Sequence, residues 1–209
     1  MRKIFSLDSP IIQCLARIGD LIILNFLFLL TMIPIVTGGA GLTAMFAVVQ
    51  SMVYDKDRGV VKPFFRAFRE NFKSVTLIWM LFVVMIAALI GDFWFLYTMN
   101  ISSVWYVAAG ILAVLVLGAK CYLFPLIARY ENSPGNHLRN AFLLTVSNLP
   151  RTLYMIFLEL VPLWLLLLNP NFFLYALMFW PLLGFSGVAY IQSALPLKKT
   201  FDPLEKEIS

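Results

Sequence analysis

The sequence is poor in charged residues, cysteine and histidine, and each shortage excludes a class of protein. Asp, Glu, Lys and Arg make up 13% of the 209 residues, whereas a soluble domain carries about a quarter. Two cysteines, Cys14 and Cys121, and one histidine, His137, provide neither a disulfide framework nor the clustered ligands of a metal site. No serine or cysteine has a plausible base as a partner. We therefore predict that the protein is not an enzyme and binds no cofactor.

What the chain has in abundance is apolar surface. Hydrophobic residues account for 61% of the sequence, which is more than one water-facing globule can bury, so lipid must cover part of it. The net charge of +5 does not indicate nucleic acid as a partner, because the basic residues cluster beside apolar runs. The composition predicts an all-α fold, a polytopic transmembrane helical bundle that forms a single integral membrane domain over residues 1–209.

Apolar runs of helix length alternate with polar or basic segments. They predict about six helices, over residues 18–36, 39–54, 75–97, 104–128, 152–168 and 172–195. The second run has only 16 residues, or about 24 Å of helix, which is short for a hydrocarbon core of ~30 Å. It predicts either a thin crossing or a re-entrant helix.

The basic residues outside these runs lie on one side of the predicted bundle. They occur in the N-terminal segment 1–17, the connecting loops 55–74 and 129–151, and the polar tail 196–209. The three opposite loops carry none. The positive-inside rule then makes the basic side the cytoplasm of a multi-pass plasma-membrane protein with both termini cytoplasmic. Residues 1–17 predict a surface helix leading into the first span, and we expect that first segment to stay in the mature protein.

The first connecting loop predicts an amphipathic helix that begins near Pro63. One side of this helix is aromatic and the other is basic, through Phe64, Phe65, Phe68 and Phe72 against Arg66, Arg69 and Lys73. Three interpretations stay open: a linker packed on its own transmembrane neighbours, a docking helix for a partner protein, or a contact with the headgroups of an anionic inner leaflet. Arg139, in the second loop, belongs to the same candidate docking surface.

Four ionisable residues interrupt the apolar runs, and each should face protein or water rather than lipid. They are Asp20, Asp92, Lys120 and Glu159. Lys120 and Glu159 each lie eight or nine residues from an arginine at the basic side, which places both at a depth of ~12 Å. The four residues form a candidate intramembrane polar site, for which two interpretations stay open. One is a relay or substrate cavity, and the other is a structural Lys–Glu pair that joins two helices.

A proline and three glycines separate the first two apolar runs. They are Pro34, Gly38, Gly39 and Gly41. The strand and the Lys-Ser/Thr of a nucleotide-binding loop are missing, so these glycines predict a tight turn or a close contact between helices. A proline and glycines before a short helix are also typical of the broken helices of transporters.

The segment Pro34–Gly41, followed by Phe64–Lys73, resembles the YesL-type family, which comprises small bacterial integral membrane proteins of unknown function. The likeness extends to Leu138–Ala141. The resemblance implies the plasma membrane of a Gram-positive bacterium and an association with carbohydrate uptake, and it carries over no catalytic residues. The second loop also resembles, through Glu131, Gly135 and Leu149-Pro150, the cytoplasmic segment with which binding-protein-dependent importer permeases dock on their ATPase. The spacing from the glycine to the proline is two residues longer than in that segment, and its alanines are absent.

Two functions follow as hypotheses. The first is an accessory or regulatory membrane protein associated with carbohydrate uptake, with components of a sugar ABC importer as partners. The second is a small-solute transporter or permease-like subunit that uses the glycine-broken helix and the buried charges. A transporter should have a polar cavity that reaches Lys120 or Glu159. An accessory protein should have a dry core and a cytoplasmic docking surface.

Overall fold

A computed structural model describes residues 10–56 and 59–208, and these residues form an all-α bundle without β-strands, as the composition predicts. The helices are α1 (Pro10–Met32), α2 (Gly38–Val53), α3 (Val61–Thr98), α4 (Ser103–Arg129), α5 (Pro134–Ser147), α6 (Leu149–Glu159), α7 (Val161–Leu168), α8 (Pro170–Phe179), α9 (Phe185–Gln192) and α10 (Lys198–Ile208). A 3₁₀ turn, Ile35–Thr37, precedes α2. Two π-helical segments, Trp180–Gly184 and Ser193–Leu197, join α8 to α9 and α9 to α10.

Helix α2 occupies the centre of the bundle. In the most apolar 18-residue stretch of α2 and its preceding turn, 67% is buried inside the protein. The corresponding buried shares are 28% for α1 and 22% for α3. Its neighbours are α1, α3, α4 and α9. The short apolar run is therefore enclosed by other helices rather than by lipid. Because protein covers its sides, its 16 residues need not match the thickness of the hydrocarbon core.

Helix α3 runs without interruption for 38 residues, which corresponds to about 57 Å. The sequence predicts a connecting segment up to residue 74 and a separate span from residue 75. The prediction of a helix boundary there is wrong. The sequence changes from polar to apolar near residue 74, but no residue at that point breaks a helix. The turn into α3 uses Gly59, whose φ of 75° is accessible to glycine without strain. With a hydrocarbon core of ~30 Å, α3 is long enough to cross and to project beyond it.

Both ends of the described chain differ from the sequence prediction. Helix α1 includes residues 10–17, which therefore continue into the first predicted span instead of forming a separate surface helix. Residues 1–9 of that predicted helix lie outside the described residues. The predicted tail folds as α10, in which Phe201 is fully buried. Leu197 and Phe201 lie four residues apart on one helical face and anchor the segment to the core.

The last third of the chain is helical but irregular. Backbone hydrogen bonds continue through the junction of α6 and α7, from the Leu160 N–H to Ile156 O and from the Trp164 N–H to Leu160 O, both 3.0 Å. Pro181 and Pro196 lie in the two π-helical segments. A proline removes a hydrogen bond that an α-helix requires, and a local π turn accommodates the loss.

By length and composition, four of the described helices could cross a membrane, namely α1, α2 with its preceding turn, α3 and α4. The number rises to five if α5 and α6, which meet at 103°, count as one broken span. The last two predicted runs, 152–168 and 172–195, are divided among shorter helices. The six-span topology therefore stays a prediction.

Cysteine labelling tests this topology. In a variant without Cys14 and Cys121, single cysteines replace Ser102, Asn171 or Ser133, which are all exposed. We expect the first two positions to react with a membrane-impermeant thiol reagent in intact cells, because their loops carry no basic residue. The third should react only after permeabilisation. Labelling of the Ser133 position in intact cells would contradict the six-span arrangement.

Candidate functional site: a buried ion pair beside an aromatic cavity

Glycines let α2 approach its neighbours closely. A Cβ atom at Gly39 would overlap the Cβ atom of Trp79 on α3, and one at Gly38 would meet the Trp79 ring at 2.9 Å. A Cβ atom at Gly41 would overlap the hydroxyl group of Thr31 on α1. Each glycine thus marks a place where a neighbouring side chain packs directly on the α2 backbone. This is the close helix contact that the sequence predicts.

The turn before α2 is held by side chains. The Trp79 indole N–H donates to Ile35 O over 2.7 Å. The hydroxyl group of Thr37 donates to Pro34 O over 2.9 Å and also to Thr31 O. Pro34 O also accepts the Thr37 N–H and Ile35 O accepts the Gly38 N–H, so these side-chain bonds reinforce the backbone bonds of the turn. Pro34 and the three glycines therefore form a packed turn, and none of them lines the cavity described below.

Lys120 and Glu159, which the sequence places at one depth, are in direct contact. The Nζ atom of Lys120 on α4 lies 2.6 Å from the Oε2 atom of Glu159 on α6, and the two side chains are 19% and 23% exposed. The Cys121 thiol donates to the second carboxylate oxygen of Glu159 over 3.5 Å. The pair therefore links the two helices and neutralises both charges where solvent is scarce.

A small residue sets the distance between these helices. A Cβ atom at Gly118 would lie 2.5 Å from Thr145 Cγ2 on α5 and 2.6 Å from Thr152 Cγ2 on α6. The Thr152 hydroxyl donates to Thr145 O over 3.0 Å, so α5 and α6 are also joined to each other. A side chain at position 118 would overlap Thr152, so glycine is needed there for α6 to pack this close to α4. Two turns further along α6, Glu159 meets Lys120.

A cavity of about 160 Å³ reaches the ion pair. Its polar lining includes Lys120, Glu159 and Gln192, and its walls are largely aromatic, through Phe28, Phe46, Trp79, Trp180 and Phe185. At ~30 Å³ per molecule in the liquid, such a volume holds a few waters or one small solute. The cavity combines an apolar wall with a few polar groups, as ligand sites commonly do.

Gln192 is one of the polar residues that line this cavity. The side chain is fully buried, and its Nε2 atom donates to Met155 O over 3.2 Å. Its Oε1 atom is itself buried and has no hydrogen-bond partner among the described residues. A buried carbonyl oxygen without a partner destabilises the protein by about 1–3 kcal/mol. The sequence analysis missed Gln192, although a glutamine within an apolar run is a signal that could have found it.

The other two charged residues of the predicted polar site lie elsewhere. Asp20 is half-buried on α1 and Asp92 is exposed near the end of α3. Neither lines the cavity that contains Lys120 and Glu159. The structure therefore brings together two of the four predicted residues. An apolar run indicates only that a charge lies in a helix, and the direction in which the side chain points depends on packing.

Asn25 completes the backbone hydrogen bonding of the neighbouring π-helical segment. Its Nδ2 atom donates to Trp180 O (3.2 Å) and Pro181 O (2.6 Å), and its Oδ1 atom accepts the Ser186 N–H (3.0 Å). The asparagine is fully buried. The amide thus bonds to backbone groups at the start of the π-helical segment and at the start of α9. In lipid such backbone groups would have no water as an alternative partner.

The predicted docking surface divides into a buried and an exposed part. Phe64 is fully buried, which is contrary to its predicted role in docking, and Phe68 and Phe72 are half-buried. Phe64 stacks on Phe68 with ring centroids 6.5 Å apart. These aromatic rings pack against the protein's own core, as a linker would. The remaining predicted members are exposed, and we call them the basic surface, with Phe65 beside it: Arg66, Arg69, Lys73 and Arg139.

Comparison with known proteins gives one match. Residues 21–93 match the family model described as a protein of unknown function, DUF624. The matched segment comprises most of α1, all of α2 and most of α3, which are the helices joined by the glycine contacts. No curated protein and no solved structure matches the chain. The match thus covers the centre of the bundle and Trp79 in the cavity wall, and it ends before Lys120 and Glu159.

A double-mutant cycle tests the ion pair. Lys120→Leu or Glu159→Leu alone leaves one buried charge without its partner, so each should destabilise the protein strongly, by about 3–5 kcal/mol. The double variant should be less destabilised than the sum of the two. Thermal unfolding of the protein in detergent measures the effect. If the two single effects simply add, the side chains do not interact.

Replacement of Asn25 tests how much its hydrogen bonds to the backbone of Trp180, Pro181 and Ser186 stabilise the protein. Asn25→Leu keeps the size of the side chain but removes three hydrogen bonds to buried backbone groups, so we expect a loss of roughly 2 kcal/mol in the free energy of unfolding. Gln13→Leu, at an exposed position on the same helix, is the matched control and should have little effect. Equal stability of the two variants in the same detergent would show that the Asn25 bonds do not support the π-helical segment.

Proposed function

We propose that the protein is a multi-pass plasma-membrane protein that acts as an accessory component of carbohydrate uptake, by docking to other proteins through its basic surface. The observation that carries this proposal is the exposure of Arg66, Arg69 and Lys73 on the projecting end of α3. The connection to carbohydrate uptake comes from the resemblance to the YesL-type family. The match of residues 21–93 to a family of unknown function agrees with that resemblance.

The continuity of α3 supports a docking function. Residues 61–74 form about four turns, or roughly 21 Å, that continue the apolar part of the same helix. The aromatic side chains of Phe64 and Phe68 fix this end to the core, while the basic side chains remain exposed. A partner would therefore meet cations held at a fixed height above the membrane. Such charges guide association and select partners of complementary charge.

The orientation belongs to the same proposal. On the positive-inside rule the basic surface and both termini are cytoplasmic, and the anionic lipids of the inner leaflet lie beside them. Components of a sugar ABC importer would be reached from this side. The short loops at residues 98–103 and 169–171 carry no charge with which to hold a soluble ligand outside the cell.

A small-solute transporter is the second candidate, and the cavity at the ion pair favours it. The cavity reaches Lys120 and Glu159, as a transport site would, and Gln192 also lines it. Two features favour the accessory function instead. The cavity is small, at about 160 Å³, and the two charges in it neutralise each other at 2.6 Å.

Crosslinking from the basic surface in cells tests the accessory function. A photoreactive residue at Glu70, which is exposed among the basic side chains, should capture an importer permease or its ATPase, identified by mass spectrometry. Replacing Arg66, Arg69 and Lys73 by Glu should reduce this capture by about tenfold or more, because reversed charges oppose the partner's surface by several kcal/mol.

The matched control keeps the charge, with Arg66→Lys, Arg69→Lys and Lys73→Arg, and should retain most of the capture. Equal capture by the charge-reversed and control proteins would contradict docking through this surface. Purified protein in liposomes provides the opposing measurement. Sugar flux above that of protein-free liposomes would contradict the accessory function and support transport. Lys120→Leu should then abolish the flux.

A further inference from the structure

A second and larger pocket lies at the basic end of the molecule, away from the ion pair. It has a volume of about 700 Å³ and lies where the last turn of α2, the first turns of α3 and the last turn of α4 meet. Gln50, Ser51 and Tyr54 form the α2 wall, and Ala128 and Arg129 form the α4 wall. The cavity at Lys120 and Glu159 shares none of these lining residues.

Positive charge dominates the lining of this pocket. Lys56, Lys62, Arg66 and Arg129 line it together with one carboxylate, Glu70, which leaves an excess of 4 − 1 = 3 positive charges among the described lining residues. Glu70 lies 2.9 Å from Arg66 and neutralises part of that charge. Lys56 and Lys62 are exposed, and neither forms an ion pair with a described residue. The pocket therefore has cations available for an anionic ligand.

Arg129 is held at the back of the pocket. Its guanidinium group lies over the ring of Tyr54, 4.3 Å from the centroid, and 3.9 Å from the carboxylate of Asp202. The Tyr54 hydroxyl donates to the same carboxylate over 2.5 Å. A phenol is neutral at physiological pH, so Tyr54 adds no negative charge to the pocket. A guanidinium group oriented in this way can bind two oxygens of one anion.

The start of α3 adds a second electropositive feature. Lys62 and Pro63, in its first turn, line the pocket. Pro63 has no N–H group and the Phe64 N–H donates to Val60 O over 3.0 Å, so Lys62 is the lining residue of this turn with an N–H group at the helix start. The first N–H groups of a helix lack partners within the helix and carry its partial positive charge. Asp55 in the connecting turn forms an ion pair with Arg17 at 2.6 Å and does not line the pocket.

From these observations we infer that the pocket binds a phosphate-bearing ligand. Several cations around one space match a group with more than one negative charge, and arginine matches the oxygens of a phosphate group. The volume of about 700 Å³ leaves room for an organic part beside the phosphate. Two sources offer this chemistry, a soluble phosphorylated metabolite and the headgroup of a phospholipid. The inference does not rest on docking to an importer, although Arg66 belongs both to the pocket and to the basic surface, and the test below therefore leaves Arg66 unchanged.

Binding of pyrophosphate to the full-length protein in detergent tests the soluble source. At constant ionic strength, pyrophosphate should raise the melting temperature of the wild type relative to chloride. The pocket variant, Lys62→Ala, should bind about tenfold more weakly, the equivalent of one charge-assisted hydrogen bond. The control variant, Lys199→Ala, removes the same charge from an exposed position outside the pocket and the basic surface, and it should bind as the wild type does.

Nanodiscs that contain phosphatidylglycerol and phosphatidylcholine test the lipid source. Native mass spectrometry should then find phosphatidylglycerol retained by the wild type and the control variant, and lost from the pocket variant. A selective loss in either measurement supports the pocket and identifies its source. The inference is overturned if pyrophosphate and phosphatidylglycerol both fail to distinguish the wild type from the pocket variant, or if the control variant loses binding equally. Both variants must first melt like the wild type without ligand.

Discussion

The contact between the α2 backbone and Trp79 is the constraint on which the rest of the bundle depends. Gly38 and Gly39 leave no room for a side chain there, so the indole ring of α3 packs directly on α2 and donates to the turn before it. The same ring forms part of the wall of the cavity beside Lys120. The distance between α2 and α3 therefore also sets the shape of the space that the ion pair faces. A helix of 16 residues can lie at the centre because its neighbours approach this closely.

Buried side-chain amides connect the helices. Asn25, Gln50 and Gln192 are buried, and each donates to a carbonyl group of another helical segment. A side-chain amide inside a bilayer has no water as a partner, so a carbonyl of a neighbouring segment satisfies it and the bond fixes the register of the two segments. Asn25 also accepts the Ser186 N–H, whereas the oxygen of Gln192 lacks a partner among the described residues.

Hydropathy and charge were sufficient to predict the fold class, the common depth of Lys120 and Glu159, and the close packing at the glycines. They were not sufficient for features that depend on where a side chain points. The continuity of α3 was missed because polarity changes near residue 74 without any helix breaker. Burial of Phe201 was missed because the tail was interpreted from its many charged residues, although Leu197, Phe201, Leu204 and Ile208 recur at helical spacing. The partners of the amides could not be predicted, since every residue carries a backbone carbonyl group.

The distribution of charge also bears on the two functional hypotheses. Inside the bundle, Lys120 and Glu159 neutralise each other, whereas the pocket at the basic end has more cations than carboxylates among its described lining residues. Opening the inner cavity to either side, as transport requires, would separate helices that the glycine contacts and the buried amides hold together. Binding at the basic end requires no such separation, because the pocket and the basic surface are already open to solvent. The energetic cost of moving α2 therefore favours function at the basic end of a rigid bundle over transport through it.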